Sequence, residues 1–213
     1  MDHHFKMAFT IQHINDKKIE KDYEKAMSEL DSFFELNWKF NKPRIFLVKD
    51  RKTINKILGK KTEDWVVGFV NKTDVYMLDK ENYEKESCHK YSDEEYSKTI
   101  KHELTHSFFQ VISGFKNKPD WLWEGIAIYL SEQDKTKNKP KEFNEFLDYY
   151  EKGGPGVYKE SGFVVQLLVE KFGKQKILKL IKSLKDINSK KEFEDKFNKI
   201  YGFELNYKNI NNQ

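Results

Sequence analysis

The sequence has a single cysteine among its 213 residues, which excludes a disulfide bond within the chain. It also lacks any apolar run approaching the roughly 18 residues that a membrane-spanning helix needs, so we expect no membrane span. The first residues, Met1–His4, carry no apolar signal core. A secretion signal that had been removed would leave no trace, so the compartment stays open.

The chain also has little excess of one charge sign over the other. Charged residues make up 35% of the sequence, yet the formal net charge is only +4, so the surface is mixed in sign. No basic cluster is interleaved with aromatic residues, and we therefore expect no nucleic-acid partner. The length suits one domain over residues 1–213, and the oligomeric state is not predicted.

A further absence is informative, because no histidine follows His106. His102 and His106 lie four residues apart, so on a helix both imidazoles face one side and can bind a single metal ion. Glu103, between them, can reach a water molecule beside that metal without being a ligand. The alternative is two surface histidines and a solvated carboxylate, but Ser92 predicts a helix N-terminus and the helix is strongly apolar near Phe108.

A catalytic zinc usually has three protein ligands and one open position, so a third ligand is needed. Since no histidine follows His106, we expect this ligand to be a carboxylate or the cysteine. Glu124 is the best candidate, because it lies one turn into an apolar helix that begins near Asp120. Gly125 weakens that helix, which suggests that another backbone approaches closely there. The alternative is that Glu124 pairs with a lysine at the rim.

Cys88 and His89 are adjacent and form a conceivable second metal pair, or a thiolate that caps the zinc and inhibits the site. The simpler interpretation is a lone thiol on a connecting segment, since sites with soft ligands normally need more partners.

Two segments of the chain together resemble the gluzincin metalloproteases, and more narrowly the small peptidase-MA-like zinc proteases. They are His102-Glu103-Leu104-Thr105-His106 and Trp121-Leu122-Trp123-Glu124-Gly125-Ile126-Ala127. The resemblance covers about residues 65–175. It implies a zincin-like fold, one Zn²⁺ ion held by His102, His106 and Glu124, and Glu103 as general base. Thermolysin-like members have an acidic residue four positions after the glutamate ligand, where this chain has Ile128.

Peptide hydrolysis at zinc also needs a hydrogen-bond donor to the oxyanion. Neither histidine nor arginine follows His106, so a tyrosine or lysine must serve. Tyr158 is our choice, because it follows a glycine-rich turn at the start of an apolar helix, and the resemblance points to the same position. Tyr149 and Tyr150 are alternatives, and Tyr158 could instead be a core aromatic residue.

The residue pattern predicts an α+β fold with two parts: a lobe with a small mixed sheet and the metal-binding helix over 1–114, and an all-helical lobe over 115–213. We expect strands at 7–13, 44–48, 65–70 and 74–78, the last two forming a hairpin. Helices are expected at 17–36, 51–58, from Ser92 through the histidines, and at 120–132, 140–151, 156–172, 174–185 and 189–200.

In proteases of this kind a sheet edge binds the extended substrate backbone, and we assign that role to the strand Asp74–Leu78. Gly68-Phe69-Val70-Asn71 does not match the Gly-Ala-Met-Glu-Asn motif of gluzincin aminopeptidases, which favours internal cleavage over trimming. The leading hypothesis is therefore a zinc-dependent endopeptidase acting on peptides or proteins. The alternatives are a non-catalytic partner-binding protein that retains the scaffold, or a regulatory protease with one protein substrate.

Overall fold

The computed structural model describes residues 11–154 and 156–213, which form an α+β fold rich in helix. Its helices are α1 (Lys17–Phe34), α2 (Arg51–Leu58), α3 (Tyr83–Glu86), α4 (Asp93–Ser113), α5 (Asp120–Leu130), α6 (Val157–Phe172), α7 (Lys174–Ser183), α8 (Lys190–Tyr201) and α9 (Tyr207–Asn211). Its strands are β1 (Ile45–Val48), β2 (Gly68–Asn71) and β3 (Asp74–Leu78). None of the described helices is long and apolar enough to span a bilayer.

The three strands form one mixed sheet in the order β1-β3-β2. β3 pairs in parallel with β1 and antiparallel with β2, so it is hydrogen-bonded along both sides. The prediction that Asp74–Leu78 offers a free edge is therefore wrong, because both positions beside it are already filled. Among residues 11–154 and 156–213, the sides of this sheet without a partner strand belong to β1 and β2.

The hairpin of β2 and β3 is confirmed, but β2 begins at Gly68 rather than Trp65. Before it, the chain is held in a turn by Arg51, whose guanidinium donates to the backbone carbonyls of Glu63 (2.6 Å) and Asp64 (3.1 Å). Within this turn the backbone N–H of Val66 donates to the carbonyl of Glu63 (3.2 Å), and the carbonyl of Trp65 is hydrogen-bonded to His89 Nε2 (3.0 Å). These backbone groups are not free for a strand ladder, so the strand starts three residues later than its sequence suggests.

Helix α4 runs through the middle of the molecule and packs against α1, α5, α7 and the sheet. The Ser92 hydroxyl accepts a hydrogen bond from the backbone N–H of Glu95 (3.1 Å), as predicted, and Gly114 ends the helix with φ +65°. The predicted boundary between the two lobes falls at this glycine. The buried core nevertheless continues through both parts, from Ile19 to Ile210.

Most of the other predicted helices are confirmed within a few residues, but the helix expected over 140–151 is wrong. Only a 3₁₀ turn forms there, at Phe146–Asp148. The backbone N–H groups of Asn144, Glu145 and Phe146 all donate to the buried carboxylate of Glu160, at 2.9–3.1 Å. Amides that converge on one carboxylate cannot follow the regular ladder of an α-helix.

Smaller differences lie at the other element ends. The first helix stops at Phe34 rather than 36, because Glu35 adopts a left-handed conformation with φ 56°. Residues 11–13 form no strand, and the rest of the strand predicted at 7–13 lies outside the described residues. The short helices α3 and α9 were not predicted.

Candidate metal centre

The two histidines of the motif lie on the buried face of α4, one helical turn apart. Their Nε2 atoms are 3.1 Å apart, and the ring planes are nearly perpendicular, with an interplanar angle of 89°. There is room for at most one hydrogen between these two nitrogens, so at least one of the two Nε2 atoms is unprotonated and carries a lone pair on the side where the rings meet. The i, i+4 spacing therefore does what the sequence predicts, and both rings converge.

Glu124 reaches the same point from α5. Its Oε2 atom is 3.4 Å from His102 Nε2 and 3.8 Å from His106 Nε2, and that oxygen is buried without a hydrogen bond among the described residues. Within the part of the chain that the structure describes, these three side chains are the group of histidine, cysteine and acidic residues placed to hold a metal ion. The alternative that Glu124 pairs with a lysine at the rim is not what the structure shows.

The spacing of the three atoms fits a metal ion. The centre of the circle through His102 Nε2, His106 Nε2 and Glu124 Oε2 lies about 2.0 Å from each of them. Zinc binds imidazole nitrogen and carboxylate oxygen at about 2.0–2.2 Å. Two imidazoles and a carboxylate are also a donor set that leaves a fourth position open. The group could therefore hold a divalent ion without rearrangement.

Burial controls the charge of these groups. It lowers the pKa of His106 to about 3, so that ring is neutral at neutral pH, the form that binds a metal. Burial opposes the charged forms of His102 and Glu124 as well, but the close approach and attraction of the imidazole and the carboxylate outweigh it. The pKa of His102 is therefore raised and that of Glu124 lowered.

Glu103 lies beside the cluster on the sheet side of α4 and is only 7% exposed. Burial raises the pKa of its carboxyl to about 7, so the group exchanges protons near neutral pH. It lies directly under Gly68, the first residue of β2. A Cβ atom at position 68 would be 2.8 Å from Glu103 Oε1 and 2.9 Å from its Cγ. Sequence reasoning did not identify Gly68 as part of the site.

Tyr158 lies in the first turn of α6 and faces the same region. Its pKa is raised, first by burial and then by the negative charges of Glu124 and Glu103. Its ring meets the half-exposed indole of Trp65 edge to face, with centroids 5.9 Å apart. The Tyr158 ring therefore packs beneath a tryptophan that is about half exposed to solvent.

The two alternative tyrosines have other surroundings. The Tyr149 hydroxyl accepts a hydrogen bond from the backbone N–H of Gly156 (3.3 Å). Tyr150 packs edge to face on Phe193, and the acidic groups that act on it belong to Glu151 and α8. The charges of Glu124 and Glu103 thus raise the pKa of Tyr158 but are not among the causes that raise the pKa of Tyr150.

Cys88 and His89 do not join the metal group. The Cys88 thiol is free and exposed, and His89 Nε2 forms a hydrogen bond with the backbone carbonyl of Trp65 (3.0 Å). That bond helps to fix the segment that carries the half-exposed Trp65. The structure thus favours the simpler interpretation of the cysteine as a lone surface thiol.

The close approach predicted at Gly125 is confirmed. A Cβ atom there would lie 2.6 Å from the backbone oxygen of Ser161 on α6. The glycine therefore lets α5 and α6 pack with their backbones nearly in contact, and this packing fixes the position of the next residue back, Glu124. The apolar residues of α5 bury this contact.

No protein-family model matches this chain, and no curated protein or solved structure matches it either. The likeness to gluzincins therefore depends on the two sequence motifs and on the geometry described above.

Proposed function

We propose that this protein is a zinc-dependent peptidase of the gluzincin type, with a zincin-like fold. The observation that carries the proposal is the convergence of His102, His106 and Glu124 from two helices onto one point about 2.0 Å from each ligand atom. Three protein ligands, rather than the four of a structural site, favour catalysis over a purely structural ion.

Zinc held there would polarise a substrate carbonyl and make water a nucleophile at neutral pH. The chain's own residues supply the proton transfer and charge stabilisation. Glu103, beside the cluster but not part of it, takes a proton from the attacking water and passes it to the leaving amine. The hydroxyl of Tyr158 donates a hydrogen bond to the oxyanion. Both carboxyl and phenol are largely shielded from bulk water, which strengthens these interactions.

The substrate backbone, in this proposal, adds as a strand to the side of β2 that no other described strand occupies, instead of to β3. β2 is half-buried, and its first residue, Gly68, contacts Glu103, so a peptide beside it passes the catalytic carboxylate. No residue on this strand offers an obvious anchor for a substrate amino terminus, which favours endopeptidase activity. The alternatives of a binding protein or a single-substrate regulatory protease differ in what the test below would show.

The proposal is tested by zinc analysis and by hydrolysis of denatured casein, with and without a chelator. Glu103→Gln keeps the side-chain shape but removes the base, so it is expected to retain one zinc ion and to lose roughly 10²–10⁴-fold in rate. The matched control is Glu94→Gln, an exposed carboxylate in the first turn of the same helix, which should change neither.

Normal casein cleavage by Glu103→Gln would contradict the assigned role. A wild-type protein that holds zinc but leaves casein intact would instead favour the binding role or a single narrow substrate. Activity that survives complete removal of metal would refute zinc catalysis altogether.

A further inference from the structure

The imidazole of His106 lies flat against the indole of Trp123. The two ring centroids are 4.1 Å apart, and the planes differ by only 8°. Phe109 meets the same indole edge to face, with centroids 5.1 Å apart at 83°, and thereby holds it in place. All three side chains are buried. Trp123 directly precedes Glu124 in α5. Trp123 therefore covers the face of the His106 ring, and Glu124 approaches the Nε2 atom of the same ring.

The outer nitrogen of that ring has no comparable support. His106 Nδ1 is buried and has no hydrogen-bond partner among the residues that the structure describes. Metal-binding histidines almost always donate from this second nitrogen to a carboxylate, a carbonyl or water, and that bond fixes the orientation of the ring. The residue one turn after Glu124, where a carboxylate would serve, is Ile128. His102 Nδ1 is likewise without a partner among the described residues, but of these two rings the one of His106 is stacked on an indole.

We propose that Trp123 is a positioning residue for the metal centre, which holds the His106 ring in its binding orientation by stacking in place of the usual hydrogen bond. This inference depends on the proposed metal site. Turning the imidazole about its Cβ–Cγ bond would drive its edge into the indole, so the flat contact leaves one ring plane accessible. That plane directs Nε2 at the nitrogen of His102 and the oxygen of Glu124.

The stacking also favours the metal-bound state electronically. An imidazole that donates its lone pair to a divalent cation becomes electron-poor, and the indole face is the most electron-rich of the aromatic side chains. The contact is thus stronger with the ion present than without it. Removal of the indole should therefore weaken metal binding in addition to the destabilisation of the fold that loss of any buried tryptophan causes.

The experiment measures zinc affinity by competition with a chromophoric chelator, using Zn²⁺ alone as the probe. Trp123→Leu removes the flat surface, and we expect a loss of about 10–100-fold, the range found when a partner of a ligand histidine is removed. Trp123→Phe keeps a smaller ring and should lose less. The absorption spectrum of the Co²⁺-loaded protein should also change in Trp123→Leu, because a reoriented imidazole alters the ligand geometry.

The matched control is Trp121→Phe, on the same helix. Trp121 is fully buried against Phe146 and Phe193 and does not contact the metal group, so this variant should lower the melting temperature and leave zinc affinity and the Co²⁺ spectrum unchanged. The inference is overturned if Trp123→Leu binds zinc as tightly as the parent, or if Trp121→Phe loses as much affinity as Trp123→Leu.

The two proposals fail in different ways. A parent protein that binds zinc and cleaves casein, with Trp123→Leu unaffected, overturns the positioning role alone. A parent protein that binds no zinc overturns both.

Discussion

Two glycines mark the two sides of the proposed site, and they differ in what they contact. On the helix side, Gly125 lets the backbone of α5 approach the backbone of α6 at Ser161, which fixes Glu124. On the sheet side, Gly68 leaves room for the flexible end of a side chain, the carboxylate of Glu103. The position of the metal ligand Glu124 is therefore fixed by close packing of two helix backbones. The position of the base Glu103 depends on the room that the missing side chain of Gly68 leaves beneath β2.

The largest effect is expected when a ligand on the helix side is removed. Glu124→Ala leaves two imidazoles, and we expect its zinc affinity to fall by more than the roughly 100-fold upper cost of losing an outer partner. Equilibrium dialysis with Zn²⁺ measures this. Glu132→Ala, an exposed carboxylate just beyond the same helix, is the control and should bind as the parent does. Equal affinity in both variants would mean that Glu124 is not a ligand.

A side chain at Gly68 should impair catalysis while sparing the metal. In Gly68→Ala the new Cβ would displace the Glu103 carboxylate by a fraction of an ångström to an ångström. Misplacement of a catalytic group by about 1 Å can cost on the order of 10²-fold in rate. Casein cleavage should fall by about that factor, with zinc content unchanged. If zinc is lost as well, the two sides of the site are not independent.

The smallest of the expected effects is a loss of folding stability on substitution of Gly125. Gly125→Ala places a Cβ against the α6 backbone, and overpacking of this kind costs about 1–3 kcal/mol. Alanine's better helix propensity offsets about 1 kcal/mol of that cost. Thermal unfolding of the metal-free protein should show a lower melting temperature. Gly153→Ala is the control, because its Cβ would meet only ordinary contacts. A melting temperature unchanged in Gly125→Ala would show that α5 and α6 can separate freely.

The sequence predicted the helix side of the site well, because its signals are local. Four-residue spacing puts His102 and His106 on one face of α4, and a carboxylate in an apolar helix identifies Glu124. The close approach at Gly125 was also predicted from a single residue that weakens its helix. Each of these predictions depends only on residues within about one helical turn of one another in the sequence.

The sheet side was predicted less well, since strand order depends on the whole chain. β3 follows β2 directly, yet it takes the central position because β1 pairs along its other side. No local pattern reveals that pairing, so the free edge was assigned to the wrong strand. The missing helix over 140–151 has a similar cause, because the carboxylate of Glu160 captures the backbone amides of a segment far from it in sequence.

Two contacts between elements at the site were not predicted. The stack of Trp123 on His106 joins α5 to α4, and the fit of Glu103 beneath Gly68 joins α4 to β2. A tryptophan in an apolar helix and a glycine at a strand end have many ordinary uses, so neither residue signals its role in isolation.

A crystal structure of the protein loaded with one equivalent of Zn²⁺, with the ion located by anomalous scattering at the zinc edge, tests the central claim most directly. The account predicts one ion about 2.0–2.2 Å from His102 Nε2, His106 Nε2 and a carboxylate oxygen of Glu124, with a position left for solvent. An ion bound elsewhere, or Glu124 turned away from the two imidazoles, would contradict it.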